Sequence, residues 1–329
     1  MKKILFAASL IGLLTACQND DNSHANKQED VNNVENFQRR SCPSEEIRSK
    51  ALAENPVLRE RLQQIEAKTA QFENDLSLGK VLADGSVEIP VVVNVLYSIS
   101  AQNVSDARIA EQISVLNADY GGTNSDATQI PTEFNNVKAG DTKVRFRLAN
   151  VIRKSTTISS WSPSQNYMKR SANGGIDATN PSQYLNIWVV GSMGGVLGYA
   201  TFPESSGLWN DGVVIAAPYF GKSGASAPFN LGRTATHEVG HYLNLRHIWG
   251  DARCGNDQVA DTPTQTKENY GTPSYPLYNR CNGTNRSVMF MNYMDYVDDK
   301  AMFMFSAGQK TRMQAVVASN GSRAGLRIN

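Results

Sequence analysis

The sequence is poor in histidine and cysteine, with four of each in 329 residues, and it carries no excess of charge: 32 Lys and Arg face 31 Asp and Glu. That balance leaves no global field to recruit nucleic acid or an anionic membrane surface. No apolar run is long enough to cross a bilayer. The run from Ile4 to Leu14 falls well short of the ~20 residues that a spanning helix needs. No internal repeat is present either, which removes the repeat architectures. What remains is a soluble, enzyme-sized chain able to bury a large core. Its scarce histidines are unevenly placed, because His237, His241 and His247 fall within eleven residues.

The start of the chain reads as a processing segment and is set aside from the fold. Met1-Lys2-Lys3 is basic, the apolar run follows, and Leu14-Thr15-Ala16-Cys17 closes it. This string resembles a bacterial lipoprotein signal, in which Cys17 would be lipidated and become the new N-terminus. Several acyl chains on one residue give stable anchoring where one chain is marginal. The other reading is a plain cleaved signal with Cys17 incidental. Both predict export into a compartment that permits disulfides. Gln18-Asn19-Asp20-Asp21 is similar to the surface-export signals of some Gram-negative lipoproteins. Residues 18 to about 38 are rich in Asn, Asp, Glu and Ser and read as a flexible tether. The expected partition is residues 1–17 as signal, 18–60 as tether and pro-segment, and 61–329 as the catalytic domain, with its core from about residue 87.

Cys42 to about Leu78 has helical spacing, interrupted at Asn55-Pro56. Ile89 to Tyr97 is a β-branched run that predicts a buried strand. Asp106 to Tyr120 predicts an amphipathic helix with Ser105 as its N-cap. Val144, Phe146 and Leu148 alternate with Arg145 and Arg147, the mark of a half-exposed strand. Further strands are expected at Tyr184–Val190 and Gly212–Ala217, and helices at about Leu231–Leu243 and Ala307–Ala318. The order predicts an α/β (α+β) domain: a twisted mixed sheet, a functional helix and a loop-rich C-terminal part.

The central string is His237-Glu238-Val239-Gly240-His241-Tyr242-Leu243-Asn244-Leu245-Arg246-His247. Histidines four apart on a helix share one face and can hold one cation. Neutral imidazoles suit Zn²⁺, and a catalytic zinc takes three protein ligands and keeps a fourth position for water. Glu238, beside His237, is expected to take that water's proton as general base. The third ligand requires a sharp turn after the helix. Asn244 is the non-glycine residue best suited to the left-handed backbone of such a turn.

The string resembles the metzincin signature of zinc peptidases, departing in Asn244 where that signature has Gly. The resemblance implies a Met-turn, which Met291-Asn292-Tyr293-Met294-Asp295-Tyr296 fits. Met294 would then form the platform beneath the metal, and Tyr296 would support the tetrahedral intermediate. The other reading of this segment is a Met-rich core strand. More narrowly, Gly232 to Phe305 resembles the pappalysin family, in its cytophagalysin-like bacterial branch. The shared residues are His247-Ile248-Trp249-Gly250-Asp251, Cys254, Asp261-Thr262-Pro263 and the run from Met289 to Asp299. This likeness implies an extracellular endopeptidase acting on peptides or proteins, autocatalytic maturation and structural calcium.

With Cys17 set aside, Cys254 and Cys281 could close a ring of about 28 residues, worth roughly 3–4 kcal/mol in the chain-entropy model. Cys42 is then the odd thiol. It is expected to act as a cysteine switch that fills the open metal position of a zymogen, or else to be a structural thiol. Asp251, Asp257, Asp261 and Thr262 offer hard oxygen ligands for Ca²⁺, or form a solvated acidic turn. Past the Met-turn, Asp298, Asp299 and Lys300 are candidates for the pocket that receives the residue after the scissile bond. An aspartate there would welcome Arg or Lys, whereas Lys300 would repel them. Arg59 and Arg61 are candidate maturation points. The expected function is a secreted or surface-anchored zinc metalloendopeptidase made as a latent zymogen. The competing reading is a zinc-containing surface lipoprotein that acts as an adhesin or binding module. Nothing in the sequence fixes the oligomeric state.

Overall fold

The computed structural model describes residues 39–77 and 86–327. The expectations for the signal, for Cys17 and for the tether lie outside these residues. Among the described residues no helix is long and apolar enough to cross a membrane.

A five-stranded sheet organises the fold, with strand order β2-β1-β3-β5-β4. Its members are β1 (Val87–Tyr97), β2 (Val144–Ser155), β3 (Leu185–Val190), β4 (Gly198–Ala200) and β5 (Val213–Ala216). β2, β1, β3 and β5 are parallel, and β4 runs antiparallel at the edge. The central strands are near-continuous apolar runs because they are covered on both faces. Val91, Val93, Val95, Ile187 and Val189 are all fully buried, and each such side chain stabilises the fold by roughly 1.5–3 kcal/mol. Opposite Val91 and Val92 of β1 the register with β2 slips past Ala149.

Two helices pack on this sheet. α3 (Asp106–Gly121) starts at Ser105, whose hydroxyl accepts the amide of Arg108 at 3.2 Å, and ends at Gly122 with φ +64°. α4 (Arg233–Tyr242) is buried at every position. α5 (Ala307–Val317) opens with a capping box formed by Ser306 and Gln309. The loop-rich part between α4 and α5 contains a hairpin, β6 (Tyr278–Cys281) and β7 (Thr284–Ser287). Asn282-Gly283 turns it, both residues having positive φ. Cys254 and Cys281 form a disulfide with Cα atoms 5.6 Å apart, and among the described residues Cys42 is the free cysteine, and it is buried.

The end of the chain is pinned by Arg323. Its guanidinium forms a fully buried ion pair with Asp211, with contacts of 2.5 and 2.8 Å. It also donates to the carbonyls of Tyr242 and Phe202 and lies 3.5 Å over the Tyr242 ring. One side chain thus ties the C-terminal end of α4 to the loop that follows β4.

The N-terminal described segment is helical. α1 (Ser44–Glu54) and α2 (Pro56–Ser77) meet at Asn55-Pro56, but α2 is one continuous helix of 22 residues. Pro56 opens it, a position where the missing amide costs nothing. A boundary at residue 60 therefore falls inside a helix. Arg61 donates to the carbonyls of Glu204 and Ser206, and Glu66 pairs with Arg312 of α5 at 2.5 Å.

Candidate active site

His237 and His241 project from one face of α4, and His247 comes back to meet them because the chain reverses at Asn244. That residue adopts φ +73°, the left-handed conformation that asparagine tolerates. The nitrogens of the three histidines and the sulfur of Cys42 lie within 4.8 Å of one another, and all four residues are buried.

The tautomers follow from the acceptors around the rings. His237 Nδ1 faces the Tyr293 carbonyl at 2.7 Å, His241 Nδ1 the Leu245 carbonyl at 2.8 Å, and His247 Nδ1 the Asp251 carboxylate at 2.5 Å. An oxygen acceptor requires a proton on each Nδ1, so each Nε2 keeps a bare lone pair. Burial holds His237 and His241 well below the ordinary histidine range, with the neighbouring histidines adding to the effect. His241 Nε2 and His247 Nε2 approach to 3.1 Å, and His237 Nε2 is buried with no partner. A metal ion held by the three Nε2 atoms would satisfy all of them at once. Three imidazoles with their outer nitrogens anchored suit a catalytic zinc.

Met294 is close-packed against α4. It is fully buried, and a Cβ placed on Gly240 would lie 2.4 Å from its sulfur. The glycine within the histidine string is thus needed for α4 to rest on this methionine. Trp249 stacks on the His247 ring at 4.4 Å and 7°.

Glu238 is buried beside the cluster, and burial pushes its carboxyl up to about 8. Its Oε2 accepts from the Cys42 thiol and from the Ser44 hydroxyl, both at 3.2 Å. Burial, followed by the charge of Glu238, raises the Cys42 thiol well above its usual value. Ser44 also accepts the amide of Ala200 in edge strand β4 at 2.8 Å. Within the same strand a Cβ on Gly198 would meet Glu238 Cγ at 2.9 Å. The Tyr296 hydroxyl donates to the Cys42 carbonyl at 2.9 Å and accepts the Cys42 amide at 3.3 Å.

The candidate pocket residues separate. Lys300 is exposed and Asp298 is half-buried, whereas Asp299 has no exposure. Asp299 accepts the amides of Leu231 and Arg233 at the start of α4 and pairs with Arg40 at 2.6 Å. Arg40 also lies over the Phe229 ring at 4.9 Å. The residues expected to hold calcium, Asp251, Asp257, Asp261 and Thr262, each have a protein partner. Asp251 orients His247, Asp257 binds the Thr262 hydroxyl and the Val259 amide, and Asp261 caps α5 through Ser306 and Gly308. These oxygens are directed at separate partners, and among the described residues they form no common cluster.

Sequence reasoning missed Arg40, Ser44 and Gly198. Arg40 stood in the string Arg39-Arg40-Ser41-Cys42, but nothing in one sequence pairs it with a residue 259 positions away.

A family profile described as pregnancy-associated plasma protein-A, Peptidase_M43, matches residues 171–318. An extracellular metalloprotease of Colletotrichum graminicola is 32% identical over 263 residues, covering 76% of this chain and 84% of that protein. Extracellular metalloprotease 1 of Coccidioides posadasii is 32% identical over 249 residues, covering 71% and 79%. Among solved structures, mature mirolysin of Tannerella forsythia with a cleaved peptide is 43% identical, with a TM-score of 0.72, covering 74% of this chain and 97% of that one. A promirolysin mutant of the same organism is 40% identical, with a TM-score of 0.76, and covers 88% of this chain and 97% of that one. Sequence, fold and histidine cluster agree: the chain belongs to the pappalysin family of metzincin metalloproteases.

Proposed function

We propose that the chain is exported as a latent zinc endopeptidase in which residues 39–77 are the pro-segment and Cys42 is the latch. The observation that carries this reading is the Cys42 sulfur standing with the three histidine nitrogens, hydrogen-bonded to the would-be base Glu238. A thiol at that position fills the coordination place that a catalytic metal needs open. The wider match to promirolysin than to the mature enzyme supports it.

When zinc is bound by His237, His241 and His247, it supplies Lewis acidity and lowers the pKa of a water to roughly 7. Glu238 takes the proton from the attacking water and passes it to the leaving amine. The Tyr296 hydroxyl, freed from the Cys42 main chain, donates to the oxyanion. β4 and the preceding Leu197 present their main chain to an extended substrate, as Leu197 now does to Ser41 and Ala200 to Ser44.

In protein lacking residues 1–17 and loaded with zinc, Cys42→Ala should raise peptide hydrolysis at least about tenfold, because the competent fraction is no longer masked. Hydrolysis no higher than that of the parent zymogen would remove the latch.

Asp299 is the reading favoured for the pocket after the scissile bond. Arg40 supports it, since a guanidinium already seated on a buried carboxylate shows what that carboxylate can accept. Asp299→Asn should lower cleavage before Arg about 10²-fold relative to cleavage before an apolar residue, the scale of a buried charge pair losing its partner. An unchanged ratio would transfer the specificity elsewhere. Maturation is assigned C-terminal to α2, outside the helix that holds the candidate points. Arg59 and Arg61 sit in α2 and are tied by hydrogen bonds to Leu52, Ala53, Glu204 and Ser206. A cut there would part the catalytic domain from Cys17 and any lipid it carries.

A further inference from the structure

Arg40 is not the only pro-segment arginine seated on a buried carboxylate. Arg48 of α1 donates through Nε to Glu204 Oε1 at 2.7 Å, and both side chains are almost fully buried. Its guanidinium lies 4.1 Å over the ring of Phe202, which in turn packs on His241 at 5.1 Å. The seat is thus a carboxylate and an aromatic face, the two features that hold an organic cation.

The two arginine seats stand at opposite ends of the histidine row. Asp299 receives amides at the start of α4, while Phe202 and Glu204 adjoin His241, one turn farther along. Cys42 and Glu238 lie between them. If the Asp299 pocket takes the residue after the scissile bond, the Glu204 seat faces the residues before it.

Glu204 is not consumed by this contact. Its Oε2 is buried with no partner, and so is Arg48 Nη2. Arg323, the nearby permanent cation, already makes four hydrogen bonds to Asp211, Tyr242 and Phe202. Arg48 has further bonds to Glu45 at 3.0 and 3.1 Å, but Glu45 belongs to the same segment and leaves with it. Arg246 lies near enough to repel Arg48, and Arg48 is held nonetheless. Removing the segment would leave the Glu204 carboxylate with no direct ion-pair partner and only the through-space field of Arg323, which is already bound to Asp211. Burying a carboxylate so weakly compensated is costly unless another cation arrives.

We propose that Glu204 and Phe202 form a second cation subsite of the substrate cleft, occupied by Arg48 in the latent form and by a substrate Arg or Lys on the N-terminal side of the scissile bond in the freed enzyme. This rests on the endopeptidase reading and adds a specificity-determining residue to it.

The test uses zinc-loaded protein freed of residues 39–77 and peptides with Arg after the scissile bond. Each of the three positions before that bond carries Arg or norleucine in turn. One position should favour Arg by about tenfold in kcat/KM, the scale of one charge-assisted contact. Glu204→Gln should bring the ratio close to one, and Glu204→Asp should keep its sign. A merely structural role for Glu204 would slow both peptides alike and leave their ratio as in the parent. Fluorescence anisotropy with Glu238→Gln protein should give the same Arg preference in binding, without hydrolysis. No Arg preference at any position, or a preference unchanged in Glu204→Gln, overturns the subsite. Preferential binding with no cleavage by the parent keeps the subsite and overturns the endopeptidase reading instead.

Discussion

Glu238→Gln should lower peptide hydrolysis by about 10³-fold, within the range that a positioned general base contributes, and leave the fold intact. Glutamine keeps the shape of the side chain and removes its capacity to take a proton. The hydrogen bonds that Glu238 accepts come from Cys42 and Ser44, in the segment proposed to be removed. The freed catalytic domain therefore loses no internal bond, and a neutral amide avoids the desolvation that now raises the carboxyl. The measurement compares parent and variant, both zinc-loaded and freed of residues 39–77, on a complex peptide mixture, with cut sites located by mass spectrometry. Thermal midpoints within a few degrees would show that only the chemistry had changed. Hydrolysis within tenfold of the parent would mean that another group supplies the base.

The largest effect on stability is expected at the opposite end of α4. Arg323→Leu leaves Asp211 buried without its cation, a loss of about 3–5 kcal/mol for a broken buried pair. The thermal midpoint should fall by roughly 10 °C in a domain of this size. The Thr201 hydroxyl and the Gly207 amide still reach Asp211, but neither carries charge, and the buried Lys169 acts on it only through space. The paired change Arg323→Leu with Asp211→Asn should recover much of the loss, because no lone charge is left behind. If the single variant melted with the parent, the ion pair would be structurally idle. If the double variant melted no higher than the single, the penalty would come from lost packing over Tyr242 rather than from charge.

The parts of this molecule legible in the sequence were those encoded by local pattern. β1 announced itself as a β-branched run, α3 by its period and its Ser105 cap, and the histidine site by spacing on one helix turn. Asn244 could be assigned a left-handed backbone before any coordinates because few residues tolerate one. The parts that were not legible depend on long-range pairing. The edge strand β4 is three residues long and includes Gly198, too short and too weak in propensity to stand out. The β6–β7 hairpin did carry a signal in Asn282-Gly283, but its strands lack an apolar alternation to go with it. Asp251, Asp257 and Asp261 are close in sequence, but which protein partner each carboxylate takes is set by the fold. Asp299 and Lys300 are adjacent, and only burial separates them, one fully enclosed and the other in solvent.

The bonds that seat the N-terminal segment also bear on the order of assembly. Arg40 to Asp299 spans 259 residues, Lys68 to Asn320 spans 252, and Glu66 to Arg312 spans 246. Contacts between such distant positions close the largest loops in the chain and are entropically the slowest to form. The first described residues to be synthesised are thus fastened to some of the last. The sheet, α4 and the turn at Asn244 rest on shorter connections and can form sooner. A folding molecule would then pass through a stage with its histidines gathered and its cleft still uncovered.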